Sequence, residues 1–80
     1  MKLKGKVAIV TGASRGIGLG IVEKFSELGA TVIAGSTSNP GNAYPKGVVG
    51  VKLDVASESD WEAVTKNTLD AHGRVDVLVN

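Results

Sequence analysis

Residues 11–18 read TGASRGIG, three glycines and one arginine in eight positions, directly after the apolar run Val7–Val10. Val7–Val10 is a short stretch of β-formers with no polar alternation, the pattern of a strand buried on both faces. From Ile17 the period changes, with Ile17, Ile21, Phe25 and Leu28 at i, i+4, i+8 and i+11. That spacing lines one face of a helix, which Gly29 ends. Strand, glycine loop and helix in this order point to crossover units built on a parallel sheet.

The remainder of the chain repeats the alternation. Residues 31–34, TVIA, predict a second strand. Residues 35–47, GSTSNPGNAYPKG, hold Pro40 and Pro45 and predict a loop or one short helical turn. Val49, Val51, Leu53 and Val55 alternate as a third strand. Ser57 then offers an N-cap, with Asp60 standing where a capping box has Glu. Trp61, Val64, Thr65, Thr68 and Leu69 mark the inward face of a helix ending near His72 and Gly73. Residues 75–79 predict a fourth strand. With right-handed crossovers the expected fold is α/β and Rossmann-like, the first half of a doubly wound parallel sheet of order 3-2-1-4. All 80 residues are expected to form this one dinucleotide-binding domain, truncated after the fourth strand, with one helix on each face.

Composition excludes several classes. A domain of this size buries only about 60% of its unfolded surface, so marginal stability is expected. No apolar run approaches the roughly 20 residues of a membrane helix. The apolar stretch after the basic start is too short for a secretory signal, so the cytoplasm is the expected location. The chain has no cysteine, and therefore neither disulfides nor thiolate metal sites. A net charge of +1, with acids and bases interspersed, provides no basic stripe for nucleic acid.

In a strand-to-helix turn, glycine admits positive φ and lets backbone N–H groups approach a pyrophosphate with no Cβ in between. The partial positive charge of the helix start favours an anion there. Gly12, Gly16 and Gly18 stand where such a loop needs them, in the spacing G-x-x-x-G-x-G.

TGASRGIG at residues 11–18, LDV at 53–55 and DVLVN at 76–80, in that order, resemble the N-terminal part of the short-chain dehydrogenase/reductase family. Through TGASRGIG and IAGSTS the chain is most similar to that family's 3-oxoacyl-[acyl-carrier-protein] reductases. The resemblance implies a nicotinamide dinucleotide cofactor, a carbonyl or alcohol substrate and a homo-oligomeric parent. It places Gly12, Ser14, Arg15, Gly16, Ile17 and Gly18 against the cofactor. It also gives the Asp54 side chain to the adenine amino group, with the Val55 backbone alongside, and Asn80 a role in bracing the sheet.

A fold of this kind that prefers NAD carries an acid at the end of the second strand, to receive the ribose 2′-OH. Here residues 35–38 read GSTS. Arg15 with the hydroxyls of Ser36 and Thr37 suits a 2′-phosphate, through charge-assisted hydrogen bonds, and the expected cofactor is NADP rather than NAD.

Catalysis in this family uses a Ser and a Tyr-x-x-x-Lys pair on a helix. Tyr44 is the only tyrosine, lies between prolines and has Val48 at the lysine position, so no catalytic residue is assigned and Tyr44 is expected to lie at the surface or pack at an edge. His72 is expected to complement the end of its helix, Trp61 to be core, and Glu58, Asp60 and Glu62 to cap and solvate a helix start rather than bind metal. The chain is expected to be the cofactor-binding portion of an NADP-dependent oxidoreductase, inactive by itself. The alternative is a non-catalytic nucleotide-binding or interaction module pairing through the fourth strand. A methyltransferase-like fold is disfavoured by the missing acid after the second strand.

Overall fold

The centre of the molecule is β1, Val7–Val10, whose four side chains are all buried. In the computed structural model, which describes residues 2–37, 44, 45 and 47–80, it is followed by α1 (Gly16–Glu27), β2 (Thr31–Ser36), β3 (Val48–Lys52), α2 (Glu58–His72) and β4 (Val77–Val79). The strands are parallel and ordered β3-β2-β1-β4, as the sequence predicts.

Register explains how the core divides. Ile9 pairs with Ile33 and Leu78, and Val10 with Ala34 and Val79. Strand alternation sends these two sets to opposite faces. Val10, Val32 and Ala34 pack with Val22 of α1, while Ile9 and Ile33 pack with Leu53 and with Val64 of α2. Each face thus receives one helix. Leu53, Val10, Val22 and Val32 are the largest fully buried side chains, and each contributes about 1.5–3 kcal/mol by leaving water.

The helix faces follow the predicted spacing in part: Ile21 and Phe25 of α1 pack against the core, as expected. Ile17 is 86% exposed, and the buried residue of α1 is Val22. The reason is the orientation of the first turn: Gly18 lies against the backbone of Gly12, so the inward line runs from Gly18 through Val22 and turns Ile17 outward. On α2 the inward line is Val64 and Thr68, with the Thr68 hydroxyl donating to the Val64 carbonyl at 2.7 Å. Trp61 is only half-buried, whereas Thr65 and Leu69 are exposed along an open groove of about 570 Å³ completed by Glu62, Lys66 and Asp70. Val64 and Thr68 are the buried residues of α2 and Trp61 packs partly against the same core, while the outer part of the predicted stripe stays at the surface.

Strand ends shift as well. β2 runs two residues further than predicted, because Gly35 and Ser36 pair with Val51 and Lys52 of β3. β3 stops at Lys52, leaving Leu53 buried beyond it and Val55 half-exposed. The predicted loop or turn around Pro40 falls on residues 38–43 and 46, outside the described residues. β4 is an edge of the described sheet, with Leu78 56% exposed.

A clasp joins β1 and β4 where the sheet begins. The Asp76 carboxylate accepts the Val7 N–H at 2.8 Å, while Arg74 donates to both of its oxygens. The Asp76 N–H in turn reaches the Val7 carbonyl at 2.8 Å. Hydrogen bonding to Arg74, then to Val7, holds the Asp76 carboxyl below its ordinary value of 3.8. A depressed folded-state pKa contributes stability above the unfolded value, which is lost as pH falls through the folded one. Asp76→Asn is therefore expected to melt below wild type at neutral pH, and the gap in Tm to close as pH drops below 3.8. Thermal melts across a pH series measure both.

Candidate functional site

The C-terminal ends of β1, β2 and β3 share one sheet edge, the edge at which open parallel α/β sheets bind ligands. Backbone bonds tie the segments there. The Thr11 N–H reaches the Val79 carbonyl at 2.9 Å, the Ala13 N–H reaches Gly35 at 3.0 Å and the Leu53 N–H reaches Ser36 at 2.8 Å. The glycine loop is thereby fastened to the end of β2, and the end of β2 to the exit of β3.

Within the loop the glycines have separate physical roles. Gly12 and Gly16 have φ of +61° and +63°, which L side chains rarely adopt. Gly18 needs its hydrogen for space: a Cβ there would overlap the Gly12 carbonyl oxygen and lie 2.7 Å from its carbon. The first turn of α1 consequently sits directly on the loop backbone.

α1 begins without a protein cap. Arg15 is its N-cap residue, in extended backbone, with no side-chain bond to the first turn and no acid within it. α2 provides the contrast, because Ser57 Oγ accepts the Asp60 N–H at 3.2 Å and Glu58 and Asp60 lie in the first turn. The positive end of the α1 dipole is thus offset by neither a side-chain cap nor an acid, a setting that favours an anion. Gly12, Arg15, Gly16 and Ile17 are exposed, while Ser14 and Gly18 are half-buried.

At the end of β2, Ser36 is 2% exposed and Thr37 lies at the surface, so the more accessible hydroxyl is that of Thr37. At the exit of β3, Asp54 is half-buried and Val55 is exposed. The structure brings these two to the same edge as the glycine loop.

Three residues near the site have roles the sequence reading missed or left general. Tyr44 packs against the α1-side core and its hydroxyl donates to the Ala13 carbonyl at 3.3 Å, so its edge packing also braces the glycine loop. Asn80 Oδ1 accepts from the Thr11 hydroxyl at 3.2 Å, linking the ends of β4 and β1. The Asp60 carboxylate accepts the Asp54 N–H at 2.9 Å. A capping box would have returned that carboxylate to the Ser57 N–H, which instead donates to the Asp54 carbonyl at 2.9 Å. The S-x-x-D pattern was the available signal, and it reads equally as capping. His72 ends α2 at the surface, and no group of three metal-ligating side chains occurs among the described residues.

The profile of the short chain dehydrogenase family matches residues 6–80, and the chain belongs to that family. It is 46% identical over its whole length to 3-oxoacyl-[acyl-carrier-protein] reductase FabG of Vibrio cholerae, covering 35% of that protein. It is 42% identical to the NADP-dependent (R)-specific alcohol dehydrogenase of Lentilactobacillus kefiri over 99% of this chain and 34% of the relative. Among solved structures, ligand-free aldohexose dehydrogenase of Thermoplasma acidophilum superposes with a TM-score of 0.86 at 40% identity, over 98% of this chain and 29% of that one. The 3-ketoacyl-(acyl-carrier-protein) reductase of Brucella melitensis complexed with NADH gives 0.86 at 32% identity, over 95% and 33%. The chain thus spans about a third of the length of these relatives.

The close approach at Gly18 makes a paired prediction. Gly18→Ala drives a methyl into backbone that cannot yield, and is expected to cost about 3 kcal/mol. Gly20→Ala, two residues along the same helix with open space around it, is expected to stabilise by about 0.5–1 kcal/mol. Urea unfolding of the two variants distinguishes a packing requirement from a general effect of glycine.

Proposed function

We propose that the chain is the cofactor-binding portion of a short-chain oxidoreductase that uses NADP(H) and acts on a carbonyl or alcohol. The observation that carries this reading is the uncapped start of α1 packed onto a glycine loop, at the edge where β2 and β3 also end. The residues fit a dinucleotide: adding Cβ atoms at Gly12 and Gly16 would strain the backbone that forms the cradle, and the α1 dipole faces it unopposed by any acid.

In this reading the loop backbone from Gly12 through Gly18, with Ser14 and Ile17, holds the pyrophosphate. Arg15, Thr37 and, from within the strand, Ser36 favour a 2′-phosphate over a bare ribose hydroxyl, because no carboxylate stands at residues 35–37 to repel it. Asp54 and Val55 meet the adenine. When bound, the nicotinamide exchanges hydride with a carbon of the substrate. The proton donor that such chemistry requires comes from residues outside these 80, since Tyr44 is committed to the Ala13 carbonyl. The relatives support both nicotinamide cofactors, one being named NADP-dependent and another being complexed with NADH. The absence of an acid after β2 favours NADP here. A cytoplasmic, homo-oligomeric parent completes the proposal, and among the described residues no helix is long and apolar enough to cross a membrane.

Parallel calorimetric titrations with NADPH and NADH test the reading. Saturable binding that favours NADPH is expected, with a Kd weaker than about 1 μM because the nicotinamide side of the site lies outside this chain. Arg15→Ala should weaken NADPH about tenfold and leave NADH unchanged, the scale of one exposed charge-assisted hydrogen bond. Equal affinity for the two nucleotides would overturn the NADP assignment, and no binding of either would overturn the dinucleotide site.

A further inference from the structure

The turn leaving β3 is held almost entirely by the first turn of α2. The Asp54 N–H donates to Asp60 Oδ2 at 2.9 Å and the Asp54 carbonyl accepts from the Ser57 N–H at 2.9 Å. The Ala56 N–H donates to Asp54 Oδ1 at 2.9 Å. The Trp61 indole Nε1–H donates to the Val55 carbonyl at 2.9 Å. After these bonds, Asp54 Oδ2 and the Val55 N–H have no partner among the described residues. The turn therefore presents one acceptor and one donor on consecutive residues, with Val55 49% exposed.

We propose that Asp60 and Trp61 are positioning residues for base recognition: by fixing the turn at Asp54 and Val55 they make the site selective for adenine over hypoxanthine. The inference rests on the dinucleotide reading above. Adenine offers an amino donor at N6 and an acceptor at N1, which match a carboxylate and a backbone N–H. Hypoxanthine reverses both, with a carbonyl oxygen at position 6 and an N1–H. It would set oxygen against carboxylate and N–H against N–H, leaving two polar groups mismatched. Complementarity of this kind holds only while the donor and acceptor keep their relative orientation. The Val55 N–H shares its peptide with the Asp54 carbonyl, which the Ser57 N–H holds, and Asp60 and Trp61 restrain the peptides on either side of it, so that rotation of the turn about these bonds would break the match. The α2 cap uses the Asp60 backbone N–H rather than its carboxylate, and the Trp61 ring packs partly against the core while its indole N–H is given to Val55.

The test titrates the 80-residue chain with NADPH and with its hypoxanthine counterpart, following amide and indole N–H signals by NMR. Wild type is expected to favour NADPH about tenfold, a modest ratio because the turn is solvent-accessible. Asp60→Ala and Trp61→Phe are expected to weaken NADPH while leaving the hypoxanthine dinucleotide unchanged, so that the ratio falls to about threefold or less. Asp60→Asn keeps a carbonyl acceptor and should restore the wild-type ratio. Equal weakening of both dinucleotides would mean a purely structural role and overturn the proposal, as would an unchanged ratio in Asp60→Ala and Trp61→Phe. A wild-type chain that binds both dinucleotides equally would overturn base recognition itself, and the proposal with it.

Discussion

The contact between Gly18 and the Gly12 carbonyl sets the position of α1, and much of the structure depends on it. Because no side chain separates the first helical turn from the loop, α1 begins immediately above the end of β1. That placement points Val22 into the core, turns Ile17 to solvent and aims the uncapped helix start at the sheet edge. Packing and binding geometry follow from one steric fact. A single methyl at residue 18 would disturb the core face and the glycine loop together.

The two helices meet the sheet in different ways. α1 has no side-chain cap and no acid in its first turn. α2 is capped by Ser57, and its Asp60 and Trp61 side chains reach back to organise the exit of β3. Parallel pairing brings both helix starts to the same edge, because every strand ends there and each crossover must begin there.

Much of the architecture is legible in the sequence. The run Val7–Val10, the glycines of residues 11–18 and the change to helical spacing identify strand, loop and helix, and the alternation along the chain leads to the order 3-2-1-4. Ser57 and Gly73 mark the ends of α2 by local chemistry, a side-chain cap and a left-handed residue. The errors concern which way a helix faces. Ile17, Thr65 and Leu69 have the spacing of inward residues but lie at the surface, because spacing sets relative angles along a helix while its rotation about its own axis is set by what it packs against.

The sequence by itself determined the element order, the parallel sheet, the glycine cradle and the family to which the chain belongs, because these rest on local conformational limits and on short-range periodicity. Tertiary structure alone decided the long-range pairings: Asp76 with the Val7 N–H, Thr11 with Asn80 and Tyr44 with the Ala13 carbonyl, all spanning more than thirty residues. It also sent the Asp60 carboxylate to Asp54 rather than to its capping-box partner. A polar side chain bonds whichever unsatisfied donor or acceptor the fold brings within reach, and which one that is depends on distances the linear chain does not contain.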